Sequence, residues 1–415
     1  MKQYATSFAR AGPGCEKDLV TLERALTWGT ATSSLAKGLL FGISALFFTR
    51  VIGLSAATVG LGLTIAGAVG LAASFGAGHL ADRLGAGRVL VAMTVCQGAA
   101  LGAYCLARSA VAFVLTACVA VGAEAAQRTA RTTLLAREFT GADRVSVRAR
   151  LRVATNVFIG VGSVAAAGAL TLNSPVAYAL TMVIAALLVL SSAIPLRRLP
   201  LASSPVAATG EARVSPLRDR RYVAIAGLNG LLTIQFGVLT VGMPLWVTGH
   251  TRAPAATVAL MLVINTAFVA MFQVRAARLA RDIRTAGRVV LGAAAVLAVA
   301  CALYALAGHG PAGVAVVLLV AGVLAHSTGE VLAESGGWEL AFELADPRFA
   351  GAYQGVSQTG PAIGTMLAPA AVTTTAIDHG GPGWAVLAVL FLAAGAGTCV
   401  IAARARAGLP EPALR

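Results

Sequence analysis

The stretch GHLADRLGAGRVL, Gly78 to Leu90, returns 200 positions later as RLARDIRTAGRVV, Arg278 to Val290, with Asp82 aligned on Asp282. The run Ala86-Gly87-Arg88-Val89 recurs as Ala286-Gly287-Arg288-Val289. Each copy is a short charged hairpin between long apolar runs. The repeat therefore marks two similar halves embedded in a membrane rather than two soluble domains. The second copy has Arg278 and Thr285 where the first has Gly78 and Gly85, so the first is expected to be the more sensitive of the two.

Composition agrees with this reading. With 58% hydrophobic residues, 12% charged ones and a mean hydropathy of +0.81, the chain cannot cover a water-facing surface with polar groups. Uncharged runs recur at the length a helix needs to cross the hydrocarbon core, about 20 residues at a rise of 1.5 Å each. Short alternating segments of the kind that build a β-barrel are absent. Spans are expected near 28–49, 53–77, 88–107, 109–136, 151–171 and 176–196, then 222–247, 255–275, 288–307, 312–337, 350–375 and 383–403. Asn173-Ser174-Pro175 and Gly308-His309-Gly310-Pro311 are the turn signals that divide the longest runs.

The predicted fold class is an all-α membrane protein of twelve helices in two pseudo-symmetric six-helix bundles. Its parts are a cytoplasmic tail (1–27), a first bundle (28–196), a cytoplasmic linker (197–221), a second bundle (222–403) and a cytoplasmic tail (404–415). The linker mixes Pro200, Pro205, Gly210 and Pro216 with Arg198, Arg213, Arg218 and Arg220, a solvated composition. The N-terminal tail lacks the apolar core of a signal peptide.

The net charge of +15 is explained by topology. With the N-terminus inside, 26 of the 32 Lys and Arg residues fall in inner loops and tails or within two residues of them, and only Arg50, Arg108 and Arg252 in outer loops. That bias places both termini in the cytoplasm. Basic inner loops attract anionic lipid, so membrane lipids are expected partners and nucleic acid is not. The six cysteines form no CxxC pair, and neither a metal site nor a disulfide framework is expected. No phosphate-binding loop is present, so energy from ATP is not expected and no cofactor is assigned.

On these residues the chain resembles the major facilitator superfamily. Gly78, Leu80, Asp82, Arg83 and Gly85 match the signature loop between helices two and three of that family, Arg88 supplies its later basic charge, and Leu90 closes it. Within the family the chain is most similar to bacterial twelve-helix drug/proton antiporter-type exporters. Arg148-Ala149-Arg150-Leu151-Arg152 leading to Asn156, Gly329-Glu330, Trp338-Glu339-Leu340 and Tyr353-Gln354-Gly355 carry that likeness. The resemblance implies a multi-pass protein of the bacterial cytoplasmic membrane that works as a monomer on a small-molecule substrate and protons.

Two groups of residues are candidate functional sites. The first is the signature loop and its echo: Gly78, Leu80, Asp82, Arg83, Gly85, Arg88, Asp282 and Arg288. Span eleven starts near Arg348 to Ala350, so its N–H groups could receive the Asp82 carboxylate, and by pseudo-symmetry Asp282 could meet the start of span five. The second group lies in the spans: Lys37 in the first, Glu124, Arg128 and Arg131 in the fourth, His326, Glu330 and Glu334 in the tenth. Each intramembrane charge costs at least about 2.5 to 3.5 kcal/mol, which favours a partner or a water-filled cavity. Spacings of four, three and seven put Glu124, Arg128 and Arg131 on one face, as four and four do for His326, Glu330 and Glu334. The resemblance implies that helices one, four, seven and ten line a central cavity.

Glu330 has no cation within one turn and is the first candidate for proton carrier; Glu124 is the second. The function expected is proton-coupled export of a small amphipathic drug or natural product by alternating access. The alternative is proton-coupled uptake of a small polar or anionic solute such as a sugar, amino acid or organic acid, which Lys37, Arg128 and Arg131 would suit. A polytopic membrane enzyme or a receptor is the lesser reading, and no enzymatic activity is expected.

Overall fold

The computed structural model of the chain describes residues 13–172, 174–197 and 215–407, and these are helical throughout apart from short connections. In chain order the helices are α1 (Pro13–Leu46), α2 (Ala56–Leu84), α3 (Ala86–Ala103), α4 (Ala110–Glu138), α5 (Ala142–Leu172) and α6 (Pro175–Arg197). They continue as α7 (Arg220–His250), α8 (Ala256–Ala277), α9 (Ile283–Ala307), α10 (Ala312–Glu343), α11 (Ala350–Val372) and α12 (Asp378–Ala407). Among the described residues, ten helical segments are long and apolar enough to cross a membrane. The last, Pro347–Ala405, holds both α11 and α12, and α1 completes twelve.

The helices begin and end where the turn chemistry places them. Pro175 and Pro311 stand at the starts of α6 and α10, where a missing N–H costs nothing. Ser109 caps α4 by accepting from the Ala112 N–H. Gly85, at φ 93°, makes the left-handed turn between α2 and α3 that a side chain would strain. The largest departure from the expected spans is α1, which starts at Pro13 instead of near residue 28. A hydropathy reading sees only the apolar part of a helix. Here a polar stretch prolongs it, with Glu23 bonded to Arg150 of α5 at 2.5 and 3.0 Å. Most of the expected linker, 198–214, and of the C-terminal tail, 408–415, lies outside the described residues, as do residues 1–12 of the N-terminal tail.

The chain divides into two compact units. Among described residues the first holds 13–70, 84–140 and 150–197; the second holds 71–83, 141–149 and 215–407. The boundaries therefore fall inside α2 and α5 as well as in the linker. In the first unit the core gathers around Phe48, whose ring lies 4.8 Å from Phe113 and 4.9 Å from Tyr104. Here α1 and α5 cross so closely that a Cβ on Gly38 would meet the Ile159 carbonyl, and one on Gly162 the Leu35 carbonyl. Such contacts suit a membrane, where apolar burial no longer drives helices together and close backbone packing does.

The second unit repeats the device. Gly230 of α7 packs on Gly360 of α11, and Gly364 on Gly230, each glycine set against the other helix's backbone. Its core joins α7, α9, α10 and α12 through Trp246, Tyr304, Trp384 and Phe391. Short π-helical turns follow α1 (Phe47–Val51), interrupt α7 (Val238–Gly242) and follow α11 (Thr373–Ile377).

Candidate functional site

In the second unit the end of α2 docks on the start of α11. Both oxygens of Asp82 accept backbone N–H bonds, from Gly351 and from Ala352, each at 2.8 Å. These amides are among the first of α11, which have no acceptor within their own helix and carry the positive end of its dipole. Gly78 and Gly351 make the approach possible, since a Cβ on either would collide with the other's carbonyl. Gly355 lies against the backbone of Ser74 and Phe75. Leu80, Arg83 and Arg88 are exposed.

The echo residue behaves differently. Asp282 is the N-cap of α9: its carboxylate accepts from the Arg284 and Thr285 N–H groups, and the Thr285 side chain answers the Asp282 N–H in a capping box. The two aspartates thus use one chemistry, a carboxylate on a helix N-terminus, but Asp82 caps another helix while Asp282 caps its own. Arg288 is exposed on α9.

In the first unit Lys37 Nζ and Arg128 Nη1 both bond Glu124 Oε1, at 2.9 and 3.1 Å. Arg131, a turn further along α4, adds its field to the same carboxylate. Three cations thus surround one carboxylate, and the side chains of Lys37, Arg128 and Glu124 keep 45%, 47% and 31% of their exposure. An intramembrane cluster that is both cationic in excess and open can accept an anionic group. The Lys37 ammonium also lies 6.0 Å from the Phe41 ring, itself exposed.

In the second unit Glu330 is buried, at 3% exposure, and accepts from the Asn265 amide of α8 at 2.8 Å. The same amide reaches Ser327 at 3.0 Å. His326, one turn before Glu330, is buried with its ring 6.3 Å from Tyr304 of α9, and its Nε2 finds no partner among the described residues. Glu334 is half-buried on the same helix. Trp246 sits in the core, stacked on His250 and bonded to the Tyr304 carbonyl at 2.8 Å. Asn265 is not among the sequence candidates; its bond to Glu330 depends on how α8 packs against α10.

A third cluster has no counterpart among the sequence candidates. Arg144 at the start of α5 pairs with Glu343 at the end of α10. The guanidinium of Arg148, a turn along, lies 4.9 Å from the Trp338 ring and 5.5 Å from that of Phe342. The basic run Arg148 to Arg152 was the signal, though the sequence could not name α10 as its target.

Twelve long helices among the described residues, most of them apolar enough to cross a membrane, with charged side chains paired between them, define a multi-pass membrane protein. The family model described as Major Facilitator Superfamily matches residues 26–369. The chain belongs to that superfamily. No curated protein matches it. Solved structures of similar fold include the human organic anion transporter MFSD10 (TETRAN), at 15% identity and a TM-score of 0.69 over 91% of this chain and 99% of that one. A bacterial homologue of the iron transporter ferroportin matches at 14% identity and a TM-score of 0.71, covering 93% and 99%. The proton:xylose symporter XylE matches at 13% identity and a TM-score of 0.66, covering 92% and 95%. At these identities the likeness is one of fold.

Proposed function

We propose that this chain is a proton-coupled exporter, in a bacterial cytoplasmic membrane, of small organic solutes that carry an anionic group. The observation behind the substrate class is the half-open cluster in which Lys37, Arg128 and Arg131 outnumber Glu124. An arriving carboxylate, sulfonate or phosphate would compete with Glu124 for these donors, and charge-assisted bonds to Arg and Lys are the strong ones. The human transporter of similar fold is described as an organic anion transporter, which agrees in substrate class. Export as the direction rests on the likeness of the Arg148 to Arg152 and Trp338 to Leu340 segments to efflux proteins.

Glu330 is the proposed proton carrier. A carboxyl buried to 3% exposure inside an apolar helix bears a high cost when charged. The Asn265 amide can donate to it when ionised and accept from it when protonated. Proton uptake and release at this point would then bias the transporter between its two access states.

A second reading, export of uncharged amphipathic molecules, is favoured by an open recess of about 560 Å³ between α1 and α5. Trp28 and Phe158 line it and are exposed. The test is flux across liposomes containing the purified protein, with a pH gradient imposed in either direction and a panel of small organic anions against neutral and cationic analogues. Anion flux driven by the gradient, lost in Glu330→Gln and weakened at least about tenfold in Lys37→Ala, supports the proposal. Gradient-driven flux of neutral or cationic compounds that is indifferent to Lys37→Ala supports the second reading. Retained gradient-driven transport in Glu330→Gln removes Glu330 from the role.

A further inference from the structure

Glu339 belongs to neither group above, and its surroundings are unusual for a carboxyl. It sits on α10 one turn before Glu343, keeps 1% of its exposure, and its Oε2 has no hydrogen-bond donor among the described residues. The charges that act on it are Glu343 of its own helix, Arg144 of α5 and Asp282 at the start of α9. Two are carboxylates, and the one cation, Arg144, is already paired with Glu343. Beyond Arg144 and Arg148 of α5, the other elements packed on this end of α10 bond its backbone and Ser335 through neutral groups. Tyr222 of α7 and Gln354 of α11 both donate to the Ala341 carbonyl, and Gln273 of α8 donates to Ser335.

A bare carboxylate in such a place would be buried with one oxygen lacking a donor and with like charge beside it, a costly arrangement. A protonated carboxyl there is not. Its neighbours are also those that fasten α5 to α10: Arg144 through Glu343, and Arg148 through the faces of Trp338 and Phe342. Trp338 and Glu339 are adjacent in sequence, so a shift of one is felt by the other.

We propose that Glu339 is a proton-binding site that sets the strength of the α5–α10 clamp. With its proton on, the carboxyl is neutral and Arg144 stays with Glu343. When the proton passes to water, the new carboxylate repels Glu343 and Asp282 and competes for Arg144. The clamp on residues 141–149 then loosens. The sign is therefore a clamp held at lower pH and released as pH rises, and the device regulates this end of the helices independently of Glu330.

The experiment uses the full chain in liposomes without any solute. Hydrogen exchange over 141–149, corrected for the intrinsic pH dependence of exchange, is followed from about pH 6 to about pH 8.5, together with the infrared carboxyl band. In wild type, protection should fall about tenfold or more as pH rises, the loss expected for a charge-assisted contact, and a protonated-carboxyl band should fade over the same range. Glu339→Gln should lack that band and stay protected throughout, whereas Arg144→Gln should be unprotected at every pH. Protection in wild type that does not change with pH overturns the proposal, whatever the variants do. So does a Glu339→Gln protein that follows the wild-type profile.

Discussion

At the scale of single residues, one side-chain type does different work according to what its helix faces. Asp82 and Asp282 are the same carboxylate in the same repeat. One joins α2 to the first amides of α11, and the other closes the first turn of α9. Losing charge should therefore matter more at the first. Asp82→Asn keeps one acceptor and loses the charge, and should cost about 1.5 to 3 kcal/mol of the α2–α11 contact. It should lower transport while membrane abundance, read by immunoblot of the membrane fraction, stays near wild type. Asp282→Asn, still a good N-cap, should change transport much less. Equal transport by Asp82→Asn and wild type would show that this contact does not limit turnover.

At the scale of elements, the crossings are decided by residues that are small, not by residues that are apolar. Gly38 and Gly162 let α1 and α5 touch backbone to backbone, and Gly230, Gly360 and Gly364 do the same for α7 and α11. Gly162→Leu should force α1 and α5 apart. The cost falls in the range for overpacking a tight site, about 1 to 3 kcal/mol or more. A lower midpoint of thermal unfolding in detergent would register it, with Gly160→Leu, where a Cβ meets nothing within 4 Å, as the control. A comparable fall in both variants would show that the loss came from the helix itself and not from the crossing.

At the scale of the whole molecule, the distribution of charge predicts an arrangement that can be checked without any substrate. Twelve spans would return the chain to the side on which it began, and the bias of 26 inner against 3 outer basic residues predicts that this side is the cytoplasm. Tags on both termini should be reached by protease only in inverted vesicles or after permeabilisation, while a tag in the 108–109 connection should be reached from outside. Cleavage of a terminal tag in intact cells would overturn the orientation.

Much of this protein was determined by its sequence alone. Apolar run length depends on the width of the bilayer, so the number of helices could be read from one chain, and the repeat around Asp82 and Asp282 pointed to two similar halves. The charges at Lys37, Glu124, Arg128 and Glu330 stood out because a charge in hydrocarbon is costly wherever it points. What the sequence could not supply was partnership: that Asn265 bonds Glu330, that Arg144 finds Glu343, that Trp246 is core, or that α1 runs back to Pro13. Those facts depend on how helices far apart in the chain rotate and cross, and that is settled by side-chain volume and close backbone contact between segments. Only the tertiary structure, by packing the ends of α2 and α5 with the second half of the chain, decided where the compact units divide.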